Sequence, residues 1–189
     1  MEEQERVLNE SPFQKKRRVV SALIAVAVIL VLATAAALLV RHYVLATFIV
    51  DGPSMNPTLN GGGEALDDGD TLVLNRVATP KRGDIVVFYF DGDGNGRNLV
   101  KRVIAVGGDT VTIKNNAVYL NGELLQENYV AEPMVTADIE VTVSEGCLFV
   151  MGDNRNESYD SRFFGEISCD SVVGKCFLIV GTDNKLRLP

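Results

Sequence analysis

From Val19 to Val40 the chain runs for 22 residues without a charge, and only Ser21 and Thr34 in that run are polar. At about 1.5 Å of rise per residue, a helix of this length covers about 33 Å, enough to cross the hydrocarbon core of a bilayer. Beyond Tyr43 the pattern changes to short apolar stretches rich in Val, Ile, Phe and Tyr, separated by Gly, Asp and Asn. These predict strands over Val44–Val50, Thr71–Leu74, Asp84–Phe90, Leu99–Val106, Thr110–Ile113, Ala117–Leu120, Cys147–Met151 and Val172–Val180. No segment of this region sustains the 3.6-residue apolar period of a helix. The expected fold is mainly β: antiparallel sheets behind one N-terminal transmembrane helix, with hairpins such as Val111–Leu120 turning at Asn115-Asn116.

Charge gives this layout an orientation. Lys15, Lys16, Arg17 and Arg18 abut the apolar run on one side, and Arg41 stands close on the other. The positive-inside rule then predicts a cytoplasmic segment at 1–18, a single-pass anchor at 19–40 and an extracytoplasmic β-rich domain at 41–189. A cleavable leader has a shorter apolar core of about 7–15 residues, and Ala33-Thr34-Ala35, the small-residue candidate for its cleavage, would lie deep in the hydrocarbon. From His42 to Pro189 there are 21 acidic and 12 basic residues, a net of −9. So acidic a domain argues against nucleic acid as a partner, leaving the lipid bilayer to be met through the anchor. Cys147, Cys169 and Cys176 form no CxxC pair and read as small core residues; a Cys169–Cys176 bridge is the alternative. Gly61-Gly62-Gly63 and the acidic residues after it predict a flexible surface excursion. Asp91-Gly92-Asp93-Gly94-Asn95-Gly96 matches half of a calcium-binding loop, but the position that needs a bidentate Glu holds Arg102, so it reads as a polar hairpin loop. Arg82-Gly83-Asp84 reads as the turn leading into a strand. Neither metal nor cofactor is expected.

The candidate chemistry starts at Ser54, about a dozen residues beyond the apolar run. The one histidine, His42, sits at the edge of that run, a poor place to present an imidazole to a serine hydroxyl. A nucleophilic Ser54 would therefore need lysine as its base. Five lysines lie beyond Tyr43. Lys81 and Lys114 fall in turns, and Lys185 lies near the carboxyl end. Lys101 instead interrupts the strand Leu99–Val106, where Leu99, Lys101, Val103 and Ala105 share one face. One of Lys101 and Arg102 must then point inward. A buried lysine can give up its charge, whereas arginine cannot and needs a carboxylate partner. Lys101 is the candidate base, Lys175 the second choice, and Arg102 is expected to pair with an acid on the other face.

Four blocks now stand in order behind the anchor. They are Ser54-Met55-Asn56-Pro57-Thr58-Leu59, Arg82–Phe88, Lys101–Asp109 and Met151-Gly152-Asp153-Asn154-Arg155-Asn156-Glu157-Ser158-Tyr159-Asp160-Ser161-Arg162. Over about residues 15–180 this series resembles the bacterial type I signal peptidases. The resemblance implies a membrane-bound serine endopeptidase of the bacterial cell membrane that cleaves N-terminal signal peptides from secretory preproteins, with small residues before the cut. It implies Ser54 as nucleophile and Lys101 as general base, with Ser158 orienting the lysine amine. It also implies supporting ion pairs Asp153–Arg102 and Asp160–Arg162, and a Ser54 N–H that donates to the oxyanion. Gly52 departs from members that carry an oxyanion-binding serine at this position, and the modest spacing before the last block implies that any added subdomain is small. Lysine rather than histidine at position 101 points to the bacterial branch. The alternative readings are a membrane-anchored, non-enzymatic β-domain that binds a peptide or envelope component, and a self-cleaving repressor-type peptidase.

Overall fold

The computed structural model describes residues 12–63 and 68–189, which divide after Tyr43 into two units. The first is a single helix, α1 (Pro12–Tyr43), whose 32 residues are long and apolar enough to cross a membrane. It extends the uncharged run at both ends, taking in Lys15–Arg18 and Arg41–Tyr43.

The second unit is built from antiparallel strands. In chain order these are β1 (Leu45–Ile49), β2 (Thr71–Asn75), β3 (Ile85–Phe90), β4 (Arg97–Val106), β5 (Thr110–Lys114), β6 (Ala117–Leu120), β7 (Glu123–Leu124), β8 (Ile139–Thr142) and β9 (Cys147–Met151). A one-turn helix α2 (Ser161–Phe164) follows, then β10 (Ile167–Ser168), β11 (Val172–Val180) and β12 (Leu186–Arg187). The larger sheet runs β1-β2-β11-β3-β4-β9-β10 with β12 beside β11, and the smaller runs β7-β6-β5-β8.

Strand β3 reads Ile-Val-Val-Phe-Tyr-Phe because β11 and β4 flank it and both of its faces are covered. Ile85 and Val87 pack with Leu72, Leu74 and Val100, whereas Val86 and Phe88 pack with Val103 and Val150. Each such buried side chain contributes roughly 1.5–3 kcal/mol of transfer free energy. The smaller sheet is a compact insertion between β4 and β9. Its Val111, Ile113 and Val118 close a third cluster with Met134, Val143 and Phe149. Asn115 and Asn116 turn its hairpin with φ of 51° and 60°, the left-handed pair that a tight two-residue loop requires.

Several features differ from the sequence-based expectation. The bulge between Val103 and Ala105 breaks the alternation of β4, so Ala105 packs in the cluster of the smaller sheet and not with Val103. Strand β8, Ile-Glu-Val-Thr, alternates properly but offers only two apolar positions; β7, β10 and β12 are too short to show a period. Gly61 is no surface residue: it is buried against the Gly52 backbone, where a Cβ would collide with the Gly52 carbonyl, and Gly52 N–H donates to Gly61 O at 3.1 Å. Residues 64–67 of that predicted excursion lie outside the described residues. The three cysteines are free thiols packed against three different clusters, so the Cys169–Cys176 bridge does not form. As expected, the 91–96 loop connects β3 to β4 as a hairpin, with Arg97 paired to Asp93 at 2.7 Å. Arg82 at the turn before β3 ties the two sheets together, its Nε donating to Asp109 Oδ2 at 2.7 Å while Asn121 Nδ2 donates to Oδ1 at 3.0 Å.

Candidate active site

Ser54 sits in a 3-10 turn, Pro53–Met55, that follows β1. Met55 and Leu59 hold this segment down by burying completely in the core cluster of Leu72, Leu74 and Val87. Gly52 enters the turn at φ 82°, a left-handed backbone that favours glycine and explains the absence of a side-chain donor two residues before Ser54. The Asn56–Pro57 peptide bond beyond the turn is cis.

Strand β4 brings Lys101 to this turn. Its Nζ donates to Ser54 Oγ at 2.7 Å and to its neighbour's carbonyl, Val100 O, at 2.9 Å. The side chain is buried because β4 lies between β3 and β9, with Val86 as its cross-strand partner. Burial penalises the ammonium and pushes the Lys101 pKa from its ordinary 10.5 down to about 8, against the opposing pull of the Asp160 and Asp153 carboxylates. A neutral amine hydrogen-bonded to a hydroxyl is the arrangement that can accept a serine proton.

Arg102, on the other face of β4, is buried too, so the pair of adjacent charges does not divide into one inward and one outward residue. Its Nε and NH2 clasp Asp153 at 2.8 and 2.6 Å, and its NH1 donates to Gly83 O at 2.8 Å. The loop after β9 supplies the rest. Asp160 takes two hydrogen bonds from the Arg162 guanidinium, both at 2.8 Å, and accepts Gly152 N–H at 3.0 Å, while Asn154 N–H donates to Ser54 O at 3.1 Å. The glycine at 152 is forced: a Cβ there would collide with Ser54 O and with Ser158 Oγ. Ser158 thus lies against the same turn, but the hydrogen bond expected from it to the lysine amine is not formed. Its Oγ is buried with no partner among the described residues, and Lys101 Nζ is occupied by Ser54 and Val100. The structure therefore gathers Ser54, Lys101, Arg102, Asp153, Ser158, Asp160 and Arg162 into one neighbourhood. It leaves out Lys175, which is engaged by Asp84 at 2.9 Å; His42 belongs to the first unit, α1.

Sequence reasoning missed a second layer. Arg155 is almost fully buried, donating to Gly152 O at 2.9 Å and pairing with Glu127 at 2.9 and 2.6 Å. Tyr129 places its ring 4.1 Å from the Arg102 guanidinium carbon and donates its hydroxyl to Glu127 at 2.9 Å, while burial raises its pKa. Glu127 and Tyr129 lie in a polar stretch with no period, so nothing local marks them. Arg155 falls within the last sequence block, two residues after Asp153, and that is the one signal the sequence offers for it.

The family described as signal peptidase, peptidase S26, matches residues 23–181. A probable signal peptidase I-1 of Synechocystis sp. is 38% identical over 156 residues, covering 77% of this chain and 76% of that protein. Signal peptidase I of Bacillus licheniformis is 36% identical over 173 residues, covering 84% of this chain and 88% of that protein. A crystal structure of a signal peptidase I from Enterococcus faecalis V583 shares 36% identity with a TM-score of 0.46, covering 52% of this chain and 97% of that one. Because the family match spans most of the chain and the curated relatives align along most of their own length, the protein belongs to the signal peptidase family, in its bacterial type I branch.

Proposed function

We propose that this signal peptidase hydrolyses the bond after the signal peptide of secretory preproteins with Ser54 as nucleophile and Lys101 as general base. The observation that carries the assignment is the 2.7 Å hydrogen bond between Lys101 Nζ and Ser54 Oγ, made by a buried amine whose pKa is lowered to about 8. Neutral Lys101 takes the Ser54 proton as the oxygen attacks the scissile carbonyl. The resulting ammonium gives the proton to the departing amine, and water then releases the acyl-enzyme. The Ser54 N–H donates to the oxyanion. Arg102–Asp153 ties the strand that carries Lys101 to the loop after β9, Arg162–Asp160 braces that loop, and Asn154 of the same loop donates its backbone N–H to Ser54 O. Substrate lies extended beside the sheet, with small residues before the cut.

The same reading covers the membrane. The segment 19–40 of α1 is a single-pass anchor, with residues 1–18 cytoplasmic and the β unit on the outer face of the bacterial cell membrane. The basic group Lys15–Arg18 and the apolar helix support this orientation. Anchoring raises the effective concentration of enzyme at membrane-inserted precursors. The acidic β unit makes nucleic acid an unfavourable partner.

The test is cleavage of a secretory precursor by the full chain in detergent micelles. Ser54→Ala and Lys101→Ala are expected to abolish turnover with unchanged circular dichroism, and His42→Ala to retain it. Substantial turnover by Lys101→Ala would overturn the dyad.

A further inference from the structure

The connector between β7 and β8, residues 125–138, belongs to the smaller sheet yet reaches the site built on the larger one. Both of its ends are fixed on its own side. Leu125 N–H donates to Val118 O at 2.9 Å, Leu125 and the buried Met134 pack in the cluster of the smaller sheet, and Thr136 N–H donates to Asn116 Oδ1 at 3.1 Å. The arch between these points lies against the loop after β9. Asn156 of that loop grips it, with Nδ2 donating to Pro133 O at 3.1 Å and Oδ1 accepting Val135 N–H at 3.0 Å.

Two side chains of the arch reach the surroundings of both reacting groups. The Tyr129 ring centre lies 4.1 Å from the Arg102 guanidinium carbon and 5.9 Å from that of Arg155. Arg102 follows Lys101 on β4, so whatever fixes its guanidinium fixes the strand at the base. Asp153 and Gly83 O hold that guanidinium within its own plane. The aromatic face covers it from the direction those hydrogen bonds leave open.

Glu127 acts on the nucleophile's side. Its carboxylate accepts the Arg155 fork at 2.9 and 2.6 Å and the Tyr129 hydroxyl at 2.9 Å. Burial, with the Glu127 charge beside it, raises the Tyr129 pKa, so the phenol stays a donor. Arg155 carries the constraint onward, because its Nε donates to Gly152 O at 2.9 Å while Asp160 accepts Gly152 N–H at 3.0 Å. Gly152 is thus pinned at its amide and at its carbonyl. It is also the residue that packs so closely on Ser54 O and Ser158 Oγ that a Cβ would collide with both.

Resting on the Ser54–Lys101 reading, we infer that Glu127 and Tyr129 are positioning residues of the peptidase. Joined by their own hydrogen bond, they grip the arginine beside the base and the arginine behind the nucleophile's turn, and so hold Lys101 and Ser54 in register. The insertion between β4 and β9 then has a part in the rate: it closes the strand that carries the base against the loop that backs the nucleophile. Neither side chain meets the reacting atoms, so the effect falls on kcat and not on KM.

The experiment uses the full chain in detergent micelles and measures kcat and KM on a secretory precursor, with circular dichroism and the urea midpoint for each variant. Glu127→Gln keeps the side chain's size but removes the charge that holds the Arg155 fork. Its kcat is expected to fall about ten- to 100-fold with KM within about twofold, the size of loss that a small misplacement of reacting groups produces. Tyr129→Leu, which loses both ring and hydroxyl, should fall as far. Tyr129→Phe keeps the ring over Arg102 and leaves no charge unpaired, so it should lose only about two- to five-fold, a neutral hydrogen bond being worth about 1 kcal/mol. Glu123→Gln, the same charge change at an exposed position of β7, should keep the wild-type kcat. Wild-type kcat in Tyr129→Leu or in a folded Glu127→Gln, whatever the urea midpoint, would overturn the inference by showing support of the fold alone. A raised KM at unchanged kcat, or an equal loss in Glu123→Gln, would overturn it too. If Glu127→Gln does not fold, the tyrosine pair decides: a larger kcat loss in Leu than in Phe supports the inference, and equal values refute it. Cleavage that persists in Ser54→Ala would instead overturn the dyad reading on which the inference rests.

Discussion

Lowering the pH protonates the amine that the reaction needs neutral, so the acid limb of the rate profile reports directly on the burial of Lys101. With the pKa lowered from 10.5 to about 8, about 9% of the enzyme carries neutral Lys101 at pH 7, against about 0.03% for an unshifted lysine, a gain of about 300-fold. Below pH 8, kcat/KM on a precursor should fall about tenfold per pH unit, and above it the profile should level off. The same burial costs stability. The interval between 10.5 and about 8 corresponds to about 3 kcal/mol at 1.36 kcal/mol per pKa unit. A lysine with a depressed folded-state pKa imposes its full cost below that pKa, where folded and unfolded states are both protonated. The cost is relieved as pH rises from about 8 to 10.5, because there the unfolded chain binds the additional proton. Lys101→Met should therefore be inactive yet more stable than wild type at pH 7.5, and the gap should narrow by about 3 kcal/mol on approach to pH 10.5. Urea unfolding of both proteins across this range measures the gap, and taking the difference between them cancels the other titrating groups. A rate limb at pH 10, or a stability gap that does not change with pH, would refute the account.

Two further outcomes follow from the loop after β9. Asp160→Ala leaves the buried Arg162 guanidinium without its carboxylate and Gly152 N–H without an acceptor, so the domain should lose about 3–5 kcal/mol, read as a lowered urea midpoint. A midpoint equal to wild type would contradict the pairing. Gly152→Ala drives a methyl group into Ser54 O and Ser158 Oγ, so it should abolish turnover even where circular dichroism shows a folded protein. Wild-type kcat in that variant would refute the packing of Ser158 against the Ser54 turn.

The sequence by itself determined what depends on neighbours along the chain. An uncharged run of 22 residues specifies a helix of bilayer length, and the Val- and Ile-rich stretches between Gly and Asn turns specify the main strands with their antiparallel pairing. The last sequence block pointed, through its resemblance to the family's, to Asp153, Ser158, Asp160 and Arg162, and the lysine interrupting an apolar strand made Lys101 the first candidate for a base, ahead of Lys175. What only the tertiary structure decided is everything that depends on a third strand or a distant loop. Lys101 and Ser54 are 47 residues apart, and only the packing of β4 between β3 and β9 buries the amine and aims it at the hydroxyl. Arg102 is buried as well because both faces of β4 are covered, which alternation along one strand cannot reveal. The bulge at Val103 and Ala105 moves Ala105 into a different cluster, and the Gly52–Gly61 contact buries a glycine that local composition places at the surface. Glu127 and Tyr129 sit in an aperiodic polar stretch, so they acquire meaning only when the connector between β7 and β8 folds against Arg102 and Arg155. The physical reason is common to these cases: backbone period and turn chemistry are local, whereas desolvation and charge pairing depend on which distant segments exclude water from the same place.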